Sequence, residues 1–134
     1  MFYSHLILVP AIAFIISVFI KGILSIINKW KLDLSLALWS WWMPSAHTAV
    51  AVSLTTAIVI KYGIWSDLFA IAMSFTIIII YDAINVRFEA GLHASALNKY
   101  IWETKFREKL WHLPSEAFAW AILWILVAII LYYI

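Results

Sequence analysis

Four apolar runs, each close to the length of a bilayer crossing, restrict this chain more than any other feature of it. They cover Leu6 to about Ile27, Pro44 to about Ile60, Leu68 to about Val86, and Pro114 to the last residue. A helix needs about 20 mostly apolar residues to cross the hydrocarbon core, and these runs meet or approach that. Composition agrees. Apolar residues make up 66% of the 134 and charged residues 12%, against roughly 45–50% and 25% in soluble proteins. The mean hydropathy is +1.00. A chain this small cannot hide so many apolar side chains in its own interior, so its surface must face lipid. The expected class is all-α: an integral membrane bundle of about four transmembrane helices plus one interfacial amphipathic helix, in a single domain over residues 1–134. The absence of cysteine excludes disulfides and thiolate chemistry. A net charge of +2 without a basic stripe argues against nucleic acid.

No cleavage pattern follows the first run, which reads as a retained helix. Residues 28–43 form a polar, then semi-apolar, connection. The second helix is rich in Ala, Ser and Thr, as closely packed bundle helices are. Lys61-Tyr62-Gly63 ends it, and Ser66 or Asp67 caps the third. Residues 87–110 mix Arg87, Glu89, Lys99, Glu103, Lys105 and Arg107 with apolar positions such as Leu92 and Ile101, the pattern of an interfacial helix. Tyr132 and Tyr133 read as interface anchors for the fourth span. This topology ends spans one and three, and begins spans two and four, on one side of the membrane. Lys21, His47, Arg87 and His112 each fall near one of those ends. Polar groups at membrane depth are costly unless partnered, so they read as functional.

Two short stretches carry the chemistry. In Met43-Pro44-Ser45-Ala46-His47, proline suits the first turn of a helix. The open amides around Ser45 and Ala46 favour an anion, and His47 exchanges a proton near neutral pH. In His112-Leu113-Pro114-Ser115-Glu116, a histidine again opens a helix, with a carboxylate four residues on. A carboxylate on one imidazole nitrogen fixes the tautomer and leaves the other nitrogen as nucleophile or base. The plainer reading of both stretches is helix capping.

Taken in order, these pieces resemble the phosphatidic acid phosphatase type 2 superfamily, which is related to vanadium-dependent haloperoxidases. The closest likeness is to its small divergent membrane branch. Lys21 matches a lysine of the first span, and residues 44–47 match Pro-Ser-x-His. Tyr81-Asp82-Ala83 with Val86-Arg87, then Gly91 and Leu97-Asn98, resembles the next block, and His112 to Glu116 resembles His-x-Pro-x-Asp. The resemblance implies a phosphatase that works through a phosphohistidine, with no metal and no cofactor. It gives catalytic roles to His112 as nucleophile, Glu116 as its orienting acid and His47 as proton donor. Phosphate-binding roles go to Lys21, Ser45, Ala46 and Arg87. The expected partners are a lipid-phosphate substrate and bilayer lipids, with a homo-oligomer left open. The chain departs from the pattern in lacking an arginine after Lys21, and in Asn85 and Phe88, where the branch usually has Gly and Arg. His93 stands six positions after Arg87 but lacks the following proline and carboxylate, so it ranks below His112.

The tryptophans are anomalous: nine, against three glycines. Trp41, Trp42, Trp111, Trp120 and Trp124 fall where the resembled pattern has glycine. Restoring glycine there would bring its frequency near the ordinary value of about 7%. The expectation is that the source reads UGA as glycine at these five positions.

Lys29, Lys31, Lys99, Lys105, Arg107 and Lys109 lie on the expected catalytic side and Lys61 on the other. The positive-inside rule then makes that face cytoplasmic, in a bacterial inner membrane. A competing expectation is a non-catalytic membrane protein of the same fold that binds anionic head groups.

Overall fold

The computed structural model describes residues 6–29, 45–102, 104–108 and 113–134. Met43, Pro44, Trp41, Trp42, Trp111 and His112 lie outside the described residues. Among the described residues there is no strand, and helices account for most of the chain. We label them α1 (Leu8–Lys29), α2 (Ala46–Tyr62), α3 (Asp67–Tyr81), α4 (Arg87–Ile101) and α5 (Pro114–Tyr133). A π-helical turn, Asp82–Val86, joins α3 to α4. The spans Leu8–Ile27, Asp67–Ile101 and Pro114–Tyr133 are long and apolar enough to cross a membrane, and α2 is a shorter apolar helix.

Helix α2 is the centre of the bundle and packs against α1, α3 and α5. Its buried residues are small or short: Thr48, Ala49, Ala51, Val52, Ser53, Thr55, Ala57 and Ile58. Lipid is as apolar as leucine, so helices in a bilayer gain little from simple hydrophobic burial and rely on close packing and interhelical hydrogen bonds. Both are present. Val9 of α1 packs with Ala57 of α2 and with Ala128 and Tyr132 of α5. Further along, Ala13, Ala49, Val52 and Trp124 form a second cluster. Between α2 and α3 the Thr76 hydroxyl reaches the Ala51 carbonyl at 3.2 Å and the Thr55 hydroxyl at 2.8 Å. A hydroxyl has one hydrogen, so with Thr76 donating to Ala51 it is Thr55 that donates to Thr76. Large apolar side chains such as Phe19, Phe75, Ile78 and Phe118 face outward, as a lipid-facing surface requires.

The turn between α2 and α3 is short. Gly63 has φ +84°, a conformation that favours glycine, and its amide bonds back to the Val59 carbonyl at 2.9 Å. Ser66, not Asp67, caps α3 by accepting from the Phe69 amide at 3.2 Å.

Three expectations change. Helix α3 does not stay regular to Val86, because the π turn starts at Asp82. The amphipathic helix does not reach residue 110. It stops at Ile101, Trp102 takes a left-handed φ of 59°, and the chain folds back. The physical cause is Asn98, which bonds the backbone of Phe106 and so turns the chain around. Tyr132 is buried in the bundle at 4% exposure, leaving Tyr133, 65% exposed, as the interface residue of that pair. The continuous run Asp67–Ile101 rises about 52 Å, well over the roughly 30 Å hydrocarbon core. Its charged residues Arg87, Glu89 and Lys99 assign α4 to the region outside that core.

Trp124 is fully buried against Ala13, Ala49 and Val52, and its indole N–H has no hydrogen-bond partner among the described residues. An unsatisfied buried donor costs about 1–3 kcal/mol. Glycine at 124 would remove that donor and let α5 approach α1 and α2 over Ala13 and Ala49. We therefore expect UGA codons at positions 41, 42, 111, 120 and 124 of the source gene, and a correspondingly lighter native protein by intact mass. UGG codons at most of these positions would end this reading.

Candidate functional site

The site grows out of one face of α1. Val9, Ala13, Ser17, Lys21 and Ser25 recur every four residues and are all buried, so they form a single inward stripe. Its first half is apolar and packs on α2 and α5. Its second half is polar. Ala13 meets Ala49 and Val9 meets Ala57, so α1 and α2 run antiparallel. Continuing the stripe brings Lys21 toward the start of α2. Lys21 is only 7% exposed, although it sits inside a spanning helix. A buried ammonium there is expensive enough to be read as functional. The Ser25 hydroxyl, one turn further on, is buried with no hydrogen-bond partner among the described residues.

At the start of α2, Ser45 is the cap. Its hydroxyl accepts from the Thr48 amide at 3.3 Å, and its carbonyl accepts from the Ala49 amide at 3.0 Å. Helix α2 thus begins at Ala46. The amides of Ala46 and His47 belong to the first turn, which has no intrahelical acceptors for them. His47 is exposed on this turn, and the charges of Arg87, Lys21 and Asp82 all act on its ring. Three separate elements therefore bring charge within electrostatic range of one imidazole: the polar end of α1, the start of α2 itself and the π turn after α3.

The π turn explains how Arg87 gets there. Residues five apart point in different directions on an α-helix. A π turn closes i to i+5 instead, and here the Arg87 amide bonds the Asp82 carbonyl. The same register brings the side chains together, with Arg87 Nε donating to Asp82 Oδ2 at 2.7 Å. The Arg87 side chain is 16% exposed and that of Asp82 is 38% exposed. The pair fixes the plane of the guanidinium at the rim of the cluster.

At the start of α5, Glu116 Oε2 accepts from the Leu113 amide at 2.9 Å. This is the acid half of a capping box. Leucine cannot supply the other half. The carboxylate is thereby held at the residue that follows His112 in the chain. His93 is exposed on α4, off the buried stripe of Gly91, Ala94 and Asn98.

Of the residues named from sequence, Lys21 and Arg87 lie within electrostatic range of His47, which stands in the helix turn that Ser45 and Ala46 open, and Glu116 is bonded to the Leu113 amide. His112 lies outside the described residues. Sequence reasoning missed the bond of Asp82 to Arg87, because that spacing is silent unless the helix is π at that point. It also missed the Ser17 and Ser25 flanks of Lys21, which the four-residue period could have revealed. Among the described residues no three His, Cys, Asp or Glu side chains gather as a metal site.

Comparison with known proteins gives a consistent picture. A profile described as the Divergent PAP2 family matches residues 2–127. A relative in Bacillus subtilis (strain 168), the uncharacterized membrane protein YuiD, is 31% identical over 141 residues, covering 90% of this chain and 89% of that one. No solved structure matches.

Proposed function

The chain belongs to the divergent PAP2 family, and from that premise we propose that it is an integral membrane phosphatase acting on a lipid phosphate. The substrate class is a phosphomonoester or pyrophosphate of a glycerolipid or prenyl alcohol. The observation that carries this reading is the meeting of buried Lys21 with Arg87 around His47, from three elements far apart in sequence. Two cations and a helix start form a cradle for a phosphoryl group. In the proposed reaction His112 attacks phosphorus in line, and the P–O bond to the leaving group breaks, which is the lipid alcohol in a phosphomonoester and the lipid monophosphate in a pyrophosphate. His47 gives its proton to the leaving oxygen. Water, giving a proton back to His47, then attacks the phosphohistidine; the P–N bond breaks, returning the His112 imidazole and releasing inorganic phosphate. Glu116, held at Leu113, is suited to orient the His112 ring. Lys21 and Arg87 hold the non-bridging oxygens through both steps, with the Ala46 and His47 amides beside them.

The distribution of Lys29, Lys31, Lys99, Lys105, Arg107 and Lys109 against Lys61 supports a cytoplasmic position for this face, in a bacterial inner membrane.

Two observations favour a second reading, in which the fold binds anionic head groups without turnover. Asp82 already engages Arg87, and Glu116 already serves as a cap. The two readings part on a phosphate-release assay of purified protein across a panel of glycerolipid and prenyl phosphates in mixed micelles. Turnover on at least one member, lost in His47→Ala, is the expected result. Saturable binding of the panel with no phosphate released would establish the head-group reading instead.

A further inference from the structure

The far end of α4 gathers exposed aromatic and cationic side chains that take no part in the cluster around His47. Helix α4 begins where the third crossing ends. Residues 67–86 rise about 30 Å, the thickness of the hydrocarbon core, so the first turn of α4 stands at the membrane surface. The helix then has two faces. Gly91, Ala94 and Asn98 form a buried stripe. Phe88, Leu92, Ala96 and Tyr100 recur every four residues on a different face, and all four are exposed. A contiguous exposed apolar stripe marks a surface that something covers. Beside a bilayer, acyl chains are suited to cover it.

The charges around the stripe select the kind of lipid. Asn98 bonds both backbone groups of Phe106: its Nδ2 donates to the carbonyl at 2.7 Å and its Oδ1 accepts from the amide at 2.8 Å. The chain is thereby folded back on the helix. Lys105 and Arg107, on either side of Phe106, return to the level of Lys99, the neighbour of Asn98. All three cations are exposed. Glu108 is engaged by the protein instead, its Oε1 accepting from Asn98 Nδ2 at 2.9 Å. In sequence, residues 99–109 hold four basic and two acidic side chains. Beside the cations, Tyr100 is 82% exposed and Trp102 is 93% exposed. These are the residue types that settle at head-group depth.

We infer that this end of α4 is a docking surface for anionic phospholipid. Lys99, Lys105 and Arg107 take the phosphodiester head groups. Tyr100 and Trp102 enter the head-group layer, and the stripe from Phe88 to Tyr100 lies on the acyl chains. Lys99 is about 18 Å along the helix from Arg87, so this surface is separate from the cradle at His47 and does not rest on the phosphatase reading. Its effect is to enrich negatively charged lipid beside the protein.

The protein lacks cysteine, so Ala96→Cys gives one site on the outward stripe for an environment-sensitive NBD fluorophore. The labelled full-length chain is reconstituted in phosphatidylcholine vesicles that contain a minor share of phosphatidylglycerol. Quenching is measured with an acyl-chain nitroxide carried on either lipid at equal mole fraction. Both should quench, and the phosphatidylglycerol form should be the stronger. One Lys or Arg near an anionic surface is worth about a fivefold change in partition, so the association ratio of the two lipids should reach about fivefold or more. Lys99→Gln and the pair Lys105→Gln/Arg107→Gln should each lower that ratio. All three substitutions together should bring it to about one, with quenching by phosphatidylcholine kept. High salt should lower the ratio in the same way, by screening.

No quenching by either lipid would overturn the proposal, and self-quenching between labelled copies in its place would assign the stripe to a second copy of the chain. Equal quenching by the two lipids, or a ratio indifferent to the charge substitutions, would overturn the anionic preference. A ratio lowered by Lys99→Gln but not by the pair would remove the folded-back segment from the surface and overturn the cluster. None of these readings needs turnover, so a chain that releases no phosphate still decides the matter.

Discussion

Replacing His112 by alanine is expected to abolish phosphate release, while replacing His93 leaves most of it. A nucleophilic imidazole needs an orienting carboxylate, a fixed place in the chain and anion-holding groups within reach. His112 is followed by Leu113, whose amide is held by Glu116 at the first turn of a spanning helix. His93 is exposed on α4 with Leu97 four residues on, where a carboxylate would be needed. The measurement is phosphate trapped on the protein after rapid acid quench, at equal membrane insertion. Label should be absent in His112→Ala and present in His93→Ala, and Glu116→Gln should accumulate it slowly. Label lost with His93 and kept without His112 would reverse the assignment.

Lys21→Met is expected to separate activity from stability. The substitution keeps length and apolar volume but removes a buried ammonium from a spanning helix. Charge stabilisation by one well-placed group in a water-poor site is worth about 10²–10³ in turnover, so kcat/KM should fall by roughly that factor. Burying a charge is itself unfavourable, and an apolar side chain of similar volume often leaves a fold as stable or more so. The melting temperature in detergent should therefore hold or rise. A variant that loses activity together with its melting temperature would show that Lys21 holds α1 to its neighbours, with no separate role in binding phosphate.

The spans could be read directly because lipid imposes a one-dimensional rule. Backbone groups in hydrocarbon must be bonded within their own segment, so an apolar run of sufficient length becomes a helix with little help from its neighbours. Ser45 and Ser66 were legible as caps for a similar reason, since their partners, Thr48 and Phe69, lie three residues away. Glu116 could be read at the start of α5 on the same local grounds. That Lys21, His47 and Arg87 lie toward one side of the bundle was also legible, because alternating spans force their ends onto shared faces.

What escaped sequence reading depended on departures from regular geometry. The Asp82–Arg87 bond requires a π turn, and no local propensity at Asp82 announces one. The end of α4 at Ile101 came from Asn98 reaching Phe106, a contact between segments whose residue types gave no stop signal. Tyr132 looked like an interface anchor by position along its span but turned inward, because the small residues Ala57 and Ala128 leave room for its ring.

By itself, then, the sequence determined that this chain is a helical membrane protein with its ionisable groups gathered toward one side, since length, hydropathy and alternation of spans suffice for that. Only the tertiary structure decided which charges act on the His47 ring, how Arg87 is aimed and what turns the chain back after Ile101. Those outcomes turn on packing distances between helices, and an ångström-scale choice among close-packed arrangements is set by all the contacting side chains together.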